Sequence, residues 1–357
     1  MNYKTILITG GAGFIGSTLS LFLKSRYPHL TVIAFDNLRR RGSELNVPRL
    51  QGAGIEFVHG DIRNTQDLSF SSSIDCLIEC SAEPSVLAGI NSSPSYVLQT
   101  NLMGAVNCFE LARMHQSDVL FLSTSRVYPI PHLKHLALKE TETRFALEKQ
   151  SIQGGSLKGI NEQFPLDNYR SLYGSTKLSA ELILQEYIQS YQMKGVINRF
   201  GVVAGPWQMG KADQGLVAYW LSRYVFPKRD LSYIGFKGTG KQTRDILHVN
   251  DLCLAIDVQL RDITLHNGLI YNIGGGIDSS ASLVELTALC EQITGIKVPI
   301  KRIRSPRKND IPVYISDYSL FEAKTGWKPT RSLSQTVEDT FRWMQENKER
   351  IQPFFAK

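Results

Sequence analysis

The sequence predicts an α/β fold, a doubly wound parallel sheet with a second, smaller α/β domain, and three observations carry that reading. Thr5 to Thr9 form a short apolar run flanked by threonines, the pattern of a buried central strand; Gly10, Gly13 and Gly16 follow, and then Phe14, Ile15, Leu19 and Leu23 recur at helical spacing. A second β-branched run, Thr31 to Phe35, ends at Asp36, 20 residues past Gly16. Strand-like and helix-like segments then alternate through residue 122, as they do where crossover helices join parallel strands.

The turn after the first strand calls for glycine because a side chain would hold the backbone away from a pyrophosphate. The free N–H groups and positive dipole end of the following helix attract such a group. The spacing G-x-x-G-x-x-G is a variant of the three-glycine dinucleotide fingerprint, and Asp36 stands where an acidic residue accepts hydrogen bonds from an adenosine ribose. A carboxylate there repels a 2′-phosphate, which favours NAD over NADP; Arg39, Arg40 and Arg41 lie beyond the strand tip. Ile55 to Val58 read as a third strand, after which Asp61 is placed to reach the adenine edge or to cap the next helix. Ile74 to Glu79 read as a fourth strand. Ser95 to His115 reads as a helix whose apolar face (Val97, Leu98, Leu102, Ala105, Val106, Phe109) is interrupted by Asn101, and a buried Asn demands partners. Val119 to Leu122 make a fifth strand.

Pro129 to Asn168 breaks this rhythm, being polar, rich in Lys, Glu and Gly, and weakly periodic. So long an irregular stretch suggests a lid or an insertion near a site. A helix is expected from Leu172 to Tyr191 and a strand from Val196 to Phe200; beyond Gly205-Pro206 the chain becomes rich in aromatics. The expected division is therefore residues 1–204 for the dinucleotide-binding domain, with segments near 245–275 returning to it, and 205–357 for most of a substrate domain.

Composition narrows the function classes. An apolar content of 42% and a charged content of 20% are those of an ordinary soluble globule. No run of about 18 apolar residues occurs, and MNYKTILITGG enters the first strand at once, so neither a membrane span nor a signal peptide is expected. Cys76, Cys80, Cys108, Cys253 and Cys290 form no C-x-x-C pair; free thiols in a reducing cytoplasm, with no metal site, are expected. The net charge of +7 could suggest nucleic acid, but no basic stretch is interleaved with aromatics and the densest cluster, Lys297 to Lys308, is short. Some of that charge can instead meet a diphosphate.

Two stretches carry chemistry. LSTSRVY ends the fifth strand at residues 122–128, and Tyr173-Gly-Ser-Thr-Lys177 opens a helix. Positions i and i+4 share a helix face, so Tyr173 and Lys177 point the same way. An ammonium near the phenol, with a positive nicotinamide ring beside it, is expected to lower the tyrosine pKa, letting the phenolate take a proton from a sugar hydroxyl as the adjacent C–H gives up hydride.

TGGAGFIG, FDNL, HGDI, LSTSRVY, YGSTK and RDILHVND, in that order and spacing, resemble the extended short-chain dehydrogenase/reductase family over essentially the whole chain. The resemblance implies a Rossmann-type domain holding NAD tightly, a nucleotide-diphospho-sugar substrate, and a homodimer formed through the helices carrying Asn101 and Tyr173. It implies catalytic roles for Thr124, Tyr173 and Lys177. By the same resemblance Gly10, Gly13, Phe14, Ile15, Gly16, Asp36, Asn37, Asp61, Ile62, Ser81, Ala82 and Asn101 would line the cofactor, together with Tyr173 and Lys177. Ser125, Arg126, Gln214, Arg244, Arg307 and Asp310 would meet the substrate, the arginines gripping phosphate oxygens with a planar fork. FDNLRRRG, FVHGDIRN, ETETRF, ADQG and GTGKQTRDILHVNDL resemble the epimerase branch, and within it enzymes that invert C2 of a CDP-hexose.

The departures from the family pattern bear on the chemistry. Dehydratases and decarboxylases of the family place an acid two positions after the catalytic Thr; Arg126 stands here, so elimination loses its proton donor. Cys80-Ser81-Ala82-Glu83-Pro84 follows the fourth strand where relatives usually carry a His before small residues, and Val202 stands where a substrate-binding Asn often follows Arg199. The expectation is an NAD-dependent epimerase that oxidises a nucleotide sugar transiently to a keto-sugar and re-reduces it on the other face. Inversion at C4 of a UDP-sugar and a non-catalytic NAD-binding protein stay open as alternatives.

Overall fold

The computed structural model describes residues 1–90, 92–226 and 230–355, and the chain divides into two compact units. The first comprises Met1–Thr124, Leu172–Arg199 and Cys253–Ile270. It is built on seven strands: β1 (Thr5–Thr9), β2 (Thr31–Asp36), β3 (Glu56–His59), β4 (Cys76–Glu79), β5 (Asp118–Thr124), β6 (Gly195–Phe200) and β7 (Ile270–Ile273), which leaves the unit after its first residue. Their spatial order is β3-β2-β1-β4-β5-β6-β7, all parallel, the doubly wound arrangement expected from the alternating pattern. The register sets Thr9 beside Phe35 and Glu79, and Glu79 beside Phe121, so the residues leaving β1, β2, β4 and β5 gather along one edge. Leu7, Ile33, Leu77 and Phe121 pack from the sheet against Phe109, Ala180 and Leu184 of the covering helices.

The expected helix from Ser95 to His115 carries an irregularity. Between Ser95–Leu98 and α2 (Gly104–His115; α1 is Phe14–Arg26) the segment Gln99–Met103 widens to a π-turn. Asn101 sits in that turn, fully buried, and its amide is spent on one backbone residue: Oδ1 accepts from the Glu83 N–H (2.8 Å) and Nδ2 donates to the Glu83 carbonyl (3.0 Å). The polar break in the apolar face thus ties the loop after β4 to the helix. The helix Leu172–Ser190, α3, packs on the same side, with Ala180 and Leu184 in the core.

The second unit comprises Ser125–Ser171, Phe200–Leu252 and Tyr271 onward. The segment 125–171, read from sequence as part of the first domain, goes with this unit, and the return to the first unit is 253–270. That segment is ordered rather than irregular. Leu138–Glu140 pairs with Phe145–Leu147 and Gly155–Ser156 with Gly159–Ile160, each antiparallel. Thr243 Oγ1 donates to the Phe145 carbonyl, Thr143 and Arg144 hold the Glu285 carboxylate, and Asn272 bridges the Tyr128 hydroxyl and the Ile160 carbonyl. The ETETRF stretch is therefore an anchor on the cap of the helix Leu283–Thr294, whose capping box is Ser282 and Glu285. The unit's main sheet joins Thr243–His248 to Val202–Ala204, Ser280–Ser282 and Val313–Tyr314.

Candidate active site

In the first unit the glycine turn fits a pyrophosphate. Gly10 adopts a left-handed φ of +63°, and a Cβ at Gly16 would lie 2.2 Å from the Gly10 carbonyl oxygen, so a side chain there would push the turn open. Gly13 caps α1 with no side chain to satisfy the first-turn N–H groups, and no acidic residue stands in that turn. Phe14 and Ile15 are the first two residues of α1 and half-buried. Asp36 leaves β2 beside the turn; its carboxylate accepts from the N–H of Ala12 (3.1 Å) and of Leu38 (2.8 Å). Burial raises its pKa above the usual carboxylate value, against the lowering effect of these amides. Each oxygen keeps a lone pair for a ribose hydroxyl.

Asp61 neither caps a helix through its side chain nor stands alone. It takes Asn37 Nδ2 (2.9 Å) and the forked guanidinium of Arg63 (2.9 and 2.6 Å), which holds its carboxyl well below the ordinary range. Arg63 and Arg39 both stack on the Tyr96 ring, at 5.1 and 4.0 Å from its centroid. Ile62 is buried, its carbonyl accepting from Asn107, and Ser81 and Ala82 are half-buried beside the glycine turn, where Gly10 approaches the Cys80–Ser81 peptide. Asn101 holds that loop through Glu83.

Thr124 is the buried last residue of β5, and Tyr173 and Lys177 lie one turn apart at the start of α3, Tyr173 half-buried and Lys177 fully buried. Sequence reasoning placed the Lys177 ammonium by the phenol. In the structure Nζ lies 3.3 Å from Glu79 Oε2 and 4.0 Å from the Phe121 ring centroid. Glu79, the last residue of β4, is 0% exposed, and burial raises its pKa against the opposing effects of Lys177 and the Ser81 amide. One helical turn further, Glu181 pairs with Arg199 (2.6 Å) and accepts the Ser123 hydroxyl, all buried. Neither acid was singled out from sequence. The only trace of Glu79 there is a carboxylate closing the apolar run Cys76 to Ile78.

In the second unit Ser125 and Arg126 form the turn after β5, and Gln214 is paired through its backbone with Lys211 in both directions. Arg244 is buried, and its guanidinium donates to the carbonyls of Thr243, Pro312 and Ile311 and to Asp310 (3.1 Å). Its pKa falls to about 10 because it is buried and because Arg126 and Arg307 stand near, Asp310 opposing them. Arg307 donates to the Ala212 carbonyl (3.2 Å). Among the described residues no group of three His, Cys, Asp or Glu could hold a metal, all five cysteines are free, and no helix is long and apolar enough to cross a membrane.

Fold and glycine turn together are those of the dinucleotide-binding class of α/β proteins. Residues 6–274 match the NAD dependent epimerase/dehydratase family, and the chain belongs to it. It is 30% identical to CDP-paratose 2-epimerase of Salmonella typhi over 95% of this chain and 98% of that one, and 26% identical to UDP-glucuronate 4-epimerase 4 of Arabidopsis thaliana over 96% and 75%. Among solved structures it resembles dTDP-glucose 4,6-dehydratase from Bacillus anthracis in complex with NAD (26% identity, TM-score 0.78, 98% of this chain and 99% of that one). It also resembles the Thermus thermophilus UDP-glucose 4-epimerase complex with NAD (25%, 0.75, 96% and 99%).

Proposed function

We propose that the protein is an NAD-dependent epimerase of a nucleotide-diphospho-sugar, and that its substrate is a CDP-hexose inverted at C2. The observation that carries the enzyme reading is the helix start: Tyr173 and Lys177 share a face of α3, and Lys177 is pinned at the strand edge where the glycine turn and Thr124 also emerge. The similarity to CDP-paratose 2-epimerase over nearly the full length of both chains supports the finer reading.

The glycine turn and the α1 N-terminus bind the pyrophosphate of the dinucleotide, and Asp36 accepts from its adenosine ribose. Reversible hydride acceptance at a sugar carbon is the chemistry that NAD⁺ supplies when bound. Tyr173 acts as general base toward the sugar hydroxyl and returns the proton afterwards, Thr124 orients that hydroxyl, and Lys177 stabilises the phenolate. Arg126, Arg244 and Arg307 supply the positive field for the diphosphate. The protein works as a homodimer.

A screen of CDP- and UDP-hexoses followed by NMR tests this. An inverted C2 in a CDP-sugar without net NADH is the expected result; stoichiometric NADH accumulation with no epimer overturns it. Tyr173→Phe should lower kcat by at least about a hundredfold with the fold kept. The similarity to 4-epimerases favours a second reading, inversion at C4 of a UDP-sugar, which the same spectra distinguish.

A further inference from the structure

Among the described residues Glu79 is the one ionised-type side chain in contact with Lys177 that the proposed mechanism does not use, and its setting is unusual. It is wholly buried at the end of an apolar strand, with Leu77 and Phe121 of the core beside it, where a lone carboxylate is costly. Only one of its oxygens meets the ammonium; Oε1 has no hydrogen-bond partner among the described residues. At 3.3 Å the contact is longer than the 2.7–2.9 Å typical of a charge-assisted hydrogen bond. The charge is thus compensated while one carboxylate oxygen is left without a hydrogen bond, the Ser81 amide being the other group near the carboxylate. An ammonium has three donors, and Glu79 takes one of them.

We propose that Glu79 is a positioning residue. Its carboxylate fixes the Lys177 ammonium at the strand edge from below, so that the remaining donors face Tyr173 and the cofactor. The structure supports this through the path of the side chain: Lys177 is held between Glu79 on β4 and the face of Phe121 on β5, so the ammonium has a definite place before any ligand arrives. A purely structural buried pair resembles Glu181–Arg199, in which the guanidinium and carboxylate satisfy each other through several short bonds and a serine takes another lone pair. The Glu79–Lys177 contact is single and leaves donors over.

This inference rests on NAD being bound at the glycine turn, and a double-mutant cycle on NAD⁺ affinity, read by calorimetry on purified full-length protein without sugar, tests it. Glu79→Gln should weaken NAD⁺ binding about tenfold when Lys177 is present and less than about twofold in a Lys177→Met background, because the carboxylate then has no ammonium to place. Equal losses in both backgrounds, or no loss with Lys177 present, overturn the proposal and leave Glu79 a structural residue. Should Glu79→Gln not fold, Glu79→Thr, uncharged and polar at the same site, gives the same cycle. Wild-type protein that binds no NAD⁺ overturns both this inference and the proposed function. Wild-type binding without the coupling overturns this inference alone.

Discussion

In the first unit the buried cations lie against carboxylates: Lys177 against Glu79, Arg199 against Glu181. In the second, two consecutive residues of the strand Thr243–His248 go to opposite faces and are not compensated in the same way. Arg244 has Asp310 in contact but Arg126 and Arg307 near as well, and burial together with those like charges lowers its pKa to about 10. Asp245 is packed so tightly that a Cβ at Gly274 would lie 2.0 Å from Oδ2, neither of its oxygens has a hydrogen-bond partner among the described residues, and burial pushes its pKa up to about 6 against the lowering influence of the nearby Ser316. One unit has closed its electrostatics and so holds its groups in place. Around Arg244 the other gathers two further arginines beside one carboxylate, Asp310, which costs folding stability and is useful only where an anion completes it.

The largest effect should come from opening a closed pair. Glu181→Leu strands a buried guanidinium and should cost about 3–5 kcal/mol in urea unfolding, whereas Glu181→Leu combined with Arg199→Met should recover most of that. A double variant as unstable as the single one would show that geometry, not charge, keeps the pair. Next comes Asp245. An acid whose folded pKa lies above its unfolded value favours folding fully below the unfolded pKa, and that contribution is lost as pH rises through the folded one. Stability should therefore fall between about pH 4 and pH 6 and level off above, by up to about 3 kcal/mol. Asp245→Asn should flatten this slope in unfolding measured across that range; an unchanged slope would assign it to other groups.

What the sequence revealed and hid follows from the same contrast. Strands such as Thr5–Thr9 and Val119–Leu122 were legible because apolar runs next to a glycine turn or a reactive polar motif have few other readings. The glycine turn, Asp36 and the Tyr173–Lys177 spacing were legible as local patterns. Glu79 was not, since its meaning lies 98 residues away on another element. Asn101 was seen as a polar break, but its partner, the Glu83 peptide, is a backbone contact that leaves no residue-type signature. The membership of 125–171 was hidden too: two short hairpins carry almost no periodicity, and their hydrogen bonds run to Thr243, Glu285 and Asn272. Arg244 was legible as an arginine in a motif, though not as one already engaged with three carbonyls and Asp310.

The smallest effect on folding should accompany the sharpest test of the open field. Arg307 is half-buried and among the described residues makes one hydrogen bond, to the Ala212 carbonyl. Arg307→Ala removes that bond but also relieves Arg244 of a like charge, so unfolding free energy should change by no more than about 0.5 kcal/mol. If the field serves a diphosphate, the same variant should bind inorganic pyrophosphate about tenfold more weakly in calorimetry, and raising salt should narrow that gap by screening. Unchanged pyrophosphate affinity with unchanged stability would mean that the excess charge around Arg244 faces no anion. The contrast between the units would then reduce to a difference in how completely each one packs.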